Sequence, residues 1–274
     1  MYSGTTFRKK SGNLMGVHQK IDRVARKQIE QFLPSQINFP SAKEILQFEG
    51  KNGPDGIKHK SPAVDEPWHF INPDDPKDTN LLDMVDQHVS NLTKALVDGN
   101  MSRASFEAAW MAHAVTDGLT PPHHFPMEEE LEEIRGEGLE TRNSLLKKNL
   151  MPGDGLKQKV KNNWQYWGAK GIMTTHFAFE IGVATTVPYQ RFSKAVPDDD
   201  IIKHVRHIGY RKYFYNQIQE VSRLNMYKKF MRNGWNRRLA KQTNNQLMPI
   251  IVRTVLIGWL ISAEQAEKIK LSES

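Results

Sequence analysis

Apolar residues recur along this chain at intervals of three and four. Val17, Ile21, Val24, Ile29, Phe32 and Leu33 form the first such set, and Pro34 follows it. The spacing predicts a helix with one apolar face, stopped by a residue that cannot continue it. Leu82, Val85, Val89, Leu92 and Leu96 predict a second helix over 80–98. A third has Ser102 as its expected cap, carries Phe106, Ala109, Trp110 and His113, and is stopped by Gly118 and the pair Pro121-Pro122. Residues 128–148 read as one charged helix and 157–183 as one long helix. Residues 201–240 read as one or two helices, opened by the acids Asp198 to Asp200. The last helix covers 246–270. Its run from Leu247 to Ala263 is the most apolar in the chain, but it is short for a span and contains Arg253, so it reads as a buried core helix. No stretch alternates apolar and polar residues as a strand does. The expected class is therefore all-α, a single multi-helix bundle over 17–270 preceded by a flexible basic arm over 1–16. There is no internal repeat.

Between the first two helices, 34–78 is rich in Pro, Gly and Asp, as in "FEGKNGPDGIKHKSPAVDEPWHFINPDDPKD". It reads as a long irregular loop, and loops of that length in a compact domain are often functional.

Composition then narrows the chemistry. There is no cysteine among the 274 residues, which excludes disulfides, thiolate metal sites and cysteine nucleophiles. Any metal must be held by His, Asp, Glu and backbone groups, a set that suits zinc, manganese or iron. The net charge of +7 and pI near 9.4 favour anionic partners. The opening "MYSGTTFRKKSGNLMG" lacks the apolar run of a signal peptide, which leads to the expectation of a cytoplasmic protein.

Two helical pairs supply candidate ligands. In "HAVTD", His113 and Asp117 are four apart; in "HFAFE", His176 and Glu180 repeat the arrangement. Residues four apart on a helix share a face, so each pair can reach one ion. One pair alone reads equally well as a histidine beside a carboxylate on a solvated surface. Both pairs here lie among apolar residues, Ala109, Trp110, Ala112, Ala114 and Val115 for the first, and Ile172, Phe177, Phe179 and Ile181 for the second. Charges in such surroundings need partners or a metal.

The fuller pattern is His113, Asp117, His123, then His176 and Glu180, preceded by His18 in "GVHQKID", Asp55 in "GPDG" and His69 in "WHFINPDD". It resembles the zinc-dependent phospholipase C/P1 nuclease family over residues 18–183. The resemblance implies an all-α fold with two or three zinc ions in a cleft. Asp55, His69, His113 and Asp117 would hold the first ion, and His123, His176 and Glu180 the second. Asp117 would bridge to a third, also bound by His18. The nucleophile would be a water between the first two ions, with Asp55 as the catalytic group that orients or deprotonates it. The chain departs from the family pattern in three ways. Members begin with a Trp whose amino group and carbonyl bind the third zinc, and here the first Trp is Trp68. Gly56 and Glu66 stand where a choline cradle would be sought. His124 follows His123 directly and competes with it as a ligand.

The remaining histidines, His59, His88, His204 and His207, fit no motif and read as surface or capping residues. The segment 203–241 holds eleven Lys or Arg against the single acid Glu220, interleaved with Tyr210, Tyr213, Phe214, Tyr215, Tyr227, Phe230 and Trp235. It could grip single-stranded nucleic acid, meet an anionic membrane surface, or be a helix with aromatic core residues and a solvated basic face. The function expected is a zinc-dependent phosphodiesterase acting on phospholipid or single-stranded nucleic acid. The alternative is a non-catalytic nucleic-acid-binding, membrane-binding or structural protein on the same helical scaffold.

Overall fold

The stripe Val17, Ile21, Ala25 and Ile29 is fully buried and makes one face of α1 (Val17–Ile29). A computed structural model of the chain describes residues 1–2, 16–65 and 69–273. Among these residues there are helices and turns and no strand, so the class is all-α. The expected arm over 1–16 lies largely outside the described residues, and its first two residues, Met1 and Tyr2, are buried rather than free.

The core is built on α4 (Asn80–Val97), α5 (Met101–Gly118) and α14 (Met248–Glu273). The first two pack as a hairpin across a three-residue connection. Asn100, not Ser102, caps α5: its side-chain oxygen accepts from the Arg103 N–H at 3.0 Å, leaving Ser102 inside the first turn. From Met248 to Ala263 nearly every residue of α14 is buried, the mark of a helix surrounded by others. It packs against α1, α4, α5 and later α11 (Tyr210–Arg223). Arg253, the charge inside this apolar run, reaches back to the carbonyls of Lys194 (2.6 Å) and Ala195. Gly118 ends α5 where space is tightest, because a Cβ there would come within 2.7 Å of Leu81 and 2.8 Å of Phe214.

Four expected regions are subdivided. The region 34–78 carries α2 (Ala42–Ile45), whose Ser41 and Glu44 form a capping box, α3 (Pro54–Lys58) and several 3-10 turns. The charged helix expected over 128–148 stops as α6 (Met127–Arg135) at Gly136, which takes a left-handed φ of 69°; α7 (Leu145–Asn149) resumes after Ser144, whose hydroxyl caps it. The long helix expected over 157–183 breaks across "GAKG" into α8 (Gly155–Trp167) and α9 (Ile172–Thr186). The segment 201–240 becomes α10 (Asp199–Ile208), α11, α12 (Met226–Asn233) and α13 (Arg237–Gln242), interrupted at Gly209 and Gly234, both with positive φ, and at Asn225. A small satellite core of Leu131, Met151 and Tyr166 ties α6 and α8 together beside the main one. Among the described residues, one helical stretch, Arg237–Glu273, is long and apolar enough to cross a membrane, and 83% of its apolar window is buried inside the fold.

Trp259 is fully buried, and its Nε1–H donates to the Ala108 carbonyl at 3.0 Å, clamping α14 to α5. Trp259→Ala should remove about 3–5 kcal/mol of stability in urea unfolding with chelator present. A loss below about 1 kcal/mol would mean that this clamp does not hold the core.

Candidate metal centre

Two helices each contribute one turn of ligand-type side chains. On α5, His113 Nε2 lies 3.4 Å from Asp117 Oδ2. On α9, His176 Nε2 lies 3.2 Å from Glu180 Oε1. All four are buried. Prolines 121 and 122 fix the chain in a 3-10 turn directly after α5, which swings His123 back over the helix end. Its Nε2 is 3.4 Å from Glu180 Oε1 and its Nδ1 is 3.7 Å from Asp117 Oδ1, so His123 bridges the two helical pairs. His124 turns the other way and donates from Nε2 to the Gly118 carbonyl at 2.8 Å. Of the two adjacent histidines, His123 joins the cluster.

The other expected ligands converge on the same place. His18, near the start of α1, stacks on His113 with ring centroids 3.9 Å apart, and its Nε2 is 3.5 Å from Asp117 Oδ1. Asp55 sits in the first turn of α3, its Oδ1 3.7 Å from His113 Nε2. The His69 ring lies 5.2 Å from that of His123. His18, His113 and Asp117 form one group whose ligand atoms lie within 4.8 Å of each other, and His123, His176 and Glu180 form a second. The two helical pairs picked out by spacing and the residues His18, Asp55, His69 and His123 implied by the resemblance thus lie around one centre. Trp68 and Glu66 lie outside the described residues.

Several participants have no signature in the sequence. The Met1 amino group lies 2.9 Å from Asp117 Oδ1 and 3.2 Å from Glu180 Oε1, and the Met1 carbonyl accepts from His18 Nε2 at 2.8 Å. These are the two backbone groups that the resemblance assigns to an N-terminal Trp, here supplied by Met1. Glu49, fully buried, accepts from His113 Nδ1 at 3.2 Å. A carboxylate on the far nitrogen fixes the tautomer and leaves Nε2 facing Asp55 and Asp117. Nothing in "QFEGKNG" marks Glu49 as different from any loop acid. Asp22 is buried behind it on α1. Lys58 Nζ lies 2.6 Å from His69 Nε2, bringing a cation to the edge of the centre.

The electrostatics follow from burying so many acids together. Burial alone would lower the Met1 ammonium, but Asp117, Glu180 and Asp55 outweigh it and raise its pKa to about 10. Burial also opposes ionisation of Asp117 and Glu180. The Met1 ammonium and the neighbouring histidines overcome it and hold both carboxyls well below their usual range. Asp55 is depressed despite burial, by the hydrogen bond and charge of His113. Asp22 is raised well above its usual value, by burial and then by Glu49. His113 is raised against burial by Glu49 and Asp117, whereas burial pushes His123 down to about 4.

The centre opens into a cleft of about 410 Å³. Asp55, Asp117, His123, His176 and Glu180 line its floor, and Lys58 and Lys148 supply positive charge. Phe70, Met127, Trp167, Met173 and Phe177 make an apolar wall. His59 is exposed and caps the C-terminus of α3 at the edge of the cleft, as expected of it, whereas His88 pairs with buried Glu107 at 2.6 Å and is not a surface histidine. The basic segment 203–241 behaves differently. Tyr210, Tyr213, Phe214, Tyr227 and Phe230 are buried, and Tyr215 and Trp235 pack against the core, so its aromatics hold helices together and do not form a stacking platform.

The centre makes stability depend on pH. His123 and His124 are both held near pKa 4 by burial, against about 6.5 in an unfolded chain. Between these values the unfolded state binds protons that the native state refuses, so stability falls as pH falls from about 6.5 to about 4. His113, with a raised pKa, adds stability on acidification only above pH 6.5, whereas the raised Asp22 carboxyl takes up one proton in the native state within the window and opposes the trend, against the two protons that His123 and His124 refuse. Chelator-treated protein should therefore melt at a lower temperature at pH 5 than at pH 6.5. An equal or higher melting temperature at pH 5 would contradict the burial of neutral imidazoles in the centre.

Comparison of the chain with family models, with curated proteins and with solved structures returns no match.

Proposed function

We propose that the protein is a zinc-dependent phosphodiesterase of the phospholipase C/P1 nuclease type. The observation that carries the reading is the pair of buried three-residue groups, His18–His113–Asp117 and His123–His176–Glu180, joined through the Asp117–His123 contact at the floor of one cleft.

The residues present fit zinc. The donors are imidazole nitrogens and carboxylate oxygens, the set this ion accepts in hydrolytic sites. Among the described residues, no hydrogen-bond partner meets the buried Nδ1 atoms of His18, His123 and His176. The Met1 ammonium lies 2.9 Å from Asp117 and 3.2 Å from Glu180, so these acids already gather around a cation. His113, Asp117, Asp55 and His69 would hold one ion, and His123, His176 and Glu180 another. His18, Asp117 and the Met1 backbone would hold a third. Zinc supplies a water acidic enough to attack at neutral pH, together with charge opposite to that which develops on the phosphate oxygens.

The protein's own groups supply the rest. Asp55 is ionised and faces the cleft, so it can take the proton of the attacking water. Glu49 keeps His113 in one tautomer. Lys58 offers a cation to the substrate phosphate. The wall of Phe70, Met127, Trp167 and Phe177 suits an apolar substituent on the phosphodiester. Burial of the aromatics of 203–241 favours phospholipid over single-stranded nucleic acid as substrate, because base stacking needs exposed rings.

Purified protein should bind two or three zinc ions and hydrolyse bis(4-nitrophenyl) phosphate and phospholipid micelles faster than single-stranded DNA or RNA. Asp117→Ala and His176→Ala should each lose zinc, by plasma mass spectrometry, and at least about 100-fold in hydrolysis. Glu49→Gln should keep the fold and weaken zinc binding by about 10–100-fold. No zinc uptake and no hydrolysis of any of these substrates would overturn the reading in favour of a binding protein on this scaffold.

A further inference from the structure

A strip of apolar side chains faces away from the core next to the cleft mouth. On α8, Leu156 (80% exposed), Val160 (61%), Trp164 (70%) and Trp167 (45%) follow each other at intervals of four, four and three. At 100° per residue they fall within about 80° of arc. The opposite side of the helix carries its buried residues, Asn162 and Tyr166, with Tyr166 in the satellite core. This reverses the usual arrangement, in which the apolar face of a surface helix turns inward. Leu146 (68%) on α7 and Leu150 (53%) just after it are also exposed. Trp167 joins the two helices, its Nε1–H donating to the Asn149 carbonyl at 2.8 Å.

The charge on the strip's own helices is predominantly positive. Residues 145–170 contain six lysines, Lys147, Lys148, Lys157, Lys159, Lys161 and Lys170, and one acid, Asp154. On one flank, Glu130 and Glu133 of α6 share a groove with Lys161 and Lys170, so the charge there is mixed. Lys157 and Lys159 lie outside that groove. Exposed aliphatic residues, tryptophans and lysines on one amphipathic helix are the composition of a segment that lies in a lipid interface. There the apolar side chains enter the acyl boundary and the ammonium groups meet anionic headgroups. The strip is also continuous with the cleft, because Trp167, Asn149 and Lys148 belong to both.

We propose that the exposed faces of α7 and α8 dock the protein on an anionic lipid bilayer, setting the mouth of the cleft against the headgroups. The contact is a property of the surface and holds whether or not the centre is catalytic. It is distinct from the basic segment 203–241, whose aromatic residues are spent on the core.

Co-sedimentation of the full chain with vesicles tests this directly. The protein should bind vesicles of equimolar phosphatidylglycerol and phosphatidylcholine, with a blue shift of tryptophan emission, and bind pure phosphatidylcholine at least 10-fold more weakly. The triple variant Leu156→Ser/Val160→Ser/Trp164→Ser changes only exposed side chains. It should lose at least 10-fold in vesicle binding while keeping its melting temperature and its zinc-dependent hydrolysis of bis(4-nitrophenyl) phosphate. Lys157→Gln/Lys159→Gln should lose the preference for anionic vesicles. Equal vesicle binding by the wild-type chain and the triple variant would overturn the proposal, as would no binding by either. So would a dimer in sedimentation equilibrium that falls apart in the triple variant, since a second copy would then be the occupant. Vesicle binding without hydrolysis of the soluble ester leaves the docking surface standing and removes only the enzymatic reading.

Discussion

Four carboxylates, those of Asp22, Glu49, Asp117 and Glu180, are taken out of water between helices of this protein, with the imidazoles of His18, His113, His123 and His176 among them. An uncompensated carboxylate in such a place is unfavourable by several kcal/mol. The rest of the centre is arranged to meet that constraint. The Met1 ammonium stands between Asp117 and Glu180, His113 is drawn towards its protonated form, and Asp22 towards its neutral one. A site that gathers this much negative charge around nitrogen donors could hold cations. The helices around it supply the rigidity that holds donors in place without an ion.

That rigidity has an identifiable source. α5 is clamped between α4 and α14, with Trp259 bonded to its Ala108 carbonyl and Gly118 accommodating the Leu81 and Phe214 side chains at its end. His113 and Asp117 therefore project from a helix packed between two others. His123 follows within one 3-10 turn set by two prolines. α9 is held from its outer side by Trp235, which stacks edge-on to Phe179 at 5.4 Å and lies against Gly182, where no side chain larger than hydrogen fits. The basic, aromatic segment that reads as a ligand-binding strip in the sequence is in this way part of the frame behind the second helical pair.

The helical class and the pairs His113–Asp117 and His176–Glu180 were legible because both depend on local spacing, whereas His18, Asp55, His69 and His123 came only with the family resemblance. Apolar residues every three or four positions announce a helix, and His and acid four apart announce a shared face. What spacing could not supply was anything set by tertiary approach. Glu49 and Asp22 lie 64 and 91 residues from His113 in sequence and meet it only because α1 and the 46–52 turns fold over α5. Met1 reads as part of a flexible basic arm, yet it is buried among the ligand-type residues. Long helices were overread at 128–148 and 157–183, because apolar periodicity continues across Gly136 and across "GAKG" while the backbone does not. The same overreading hid the outward face of α8, since a helix with apolar residues at regular spacing is ordinarily taken to point them inward.

The central claim is that ions sit among these donors. It is met most directly by anomalous diffraction at the zinc edge from crystals grown with zinc. The account predicts at least two anomalous peaks about 2.0–2.2 Å from imidazole nitrogens and carboxylate oxygens, one among His113, Asp117 and Asp55, the other among His123, His176 and Glu180. Peaks confined to exposed histidines such as His204 and His207, with the centre held together by the Met1 ammonium alone, would contradict it.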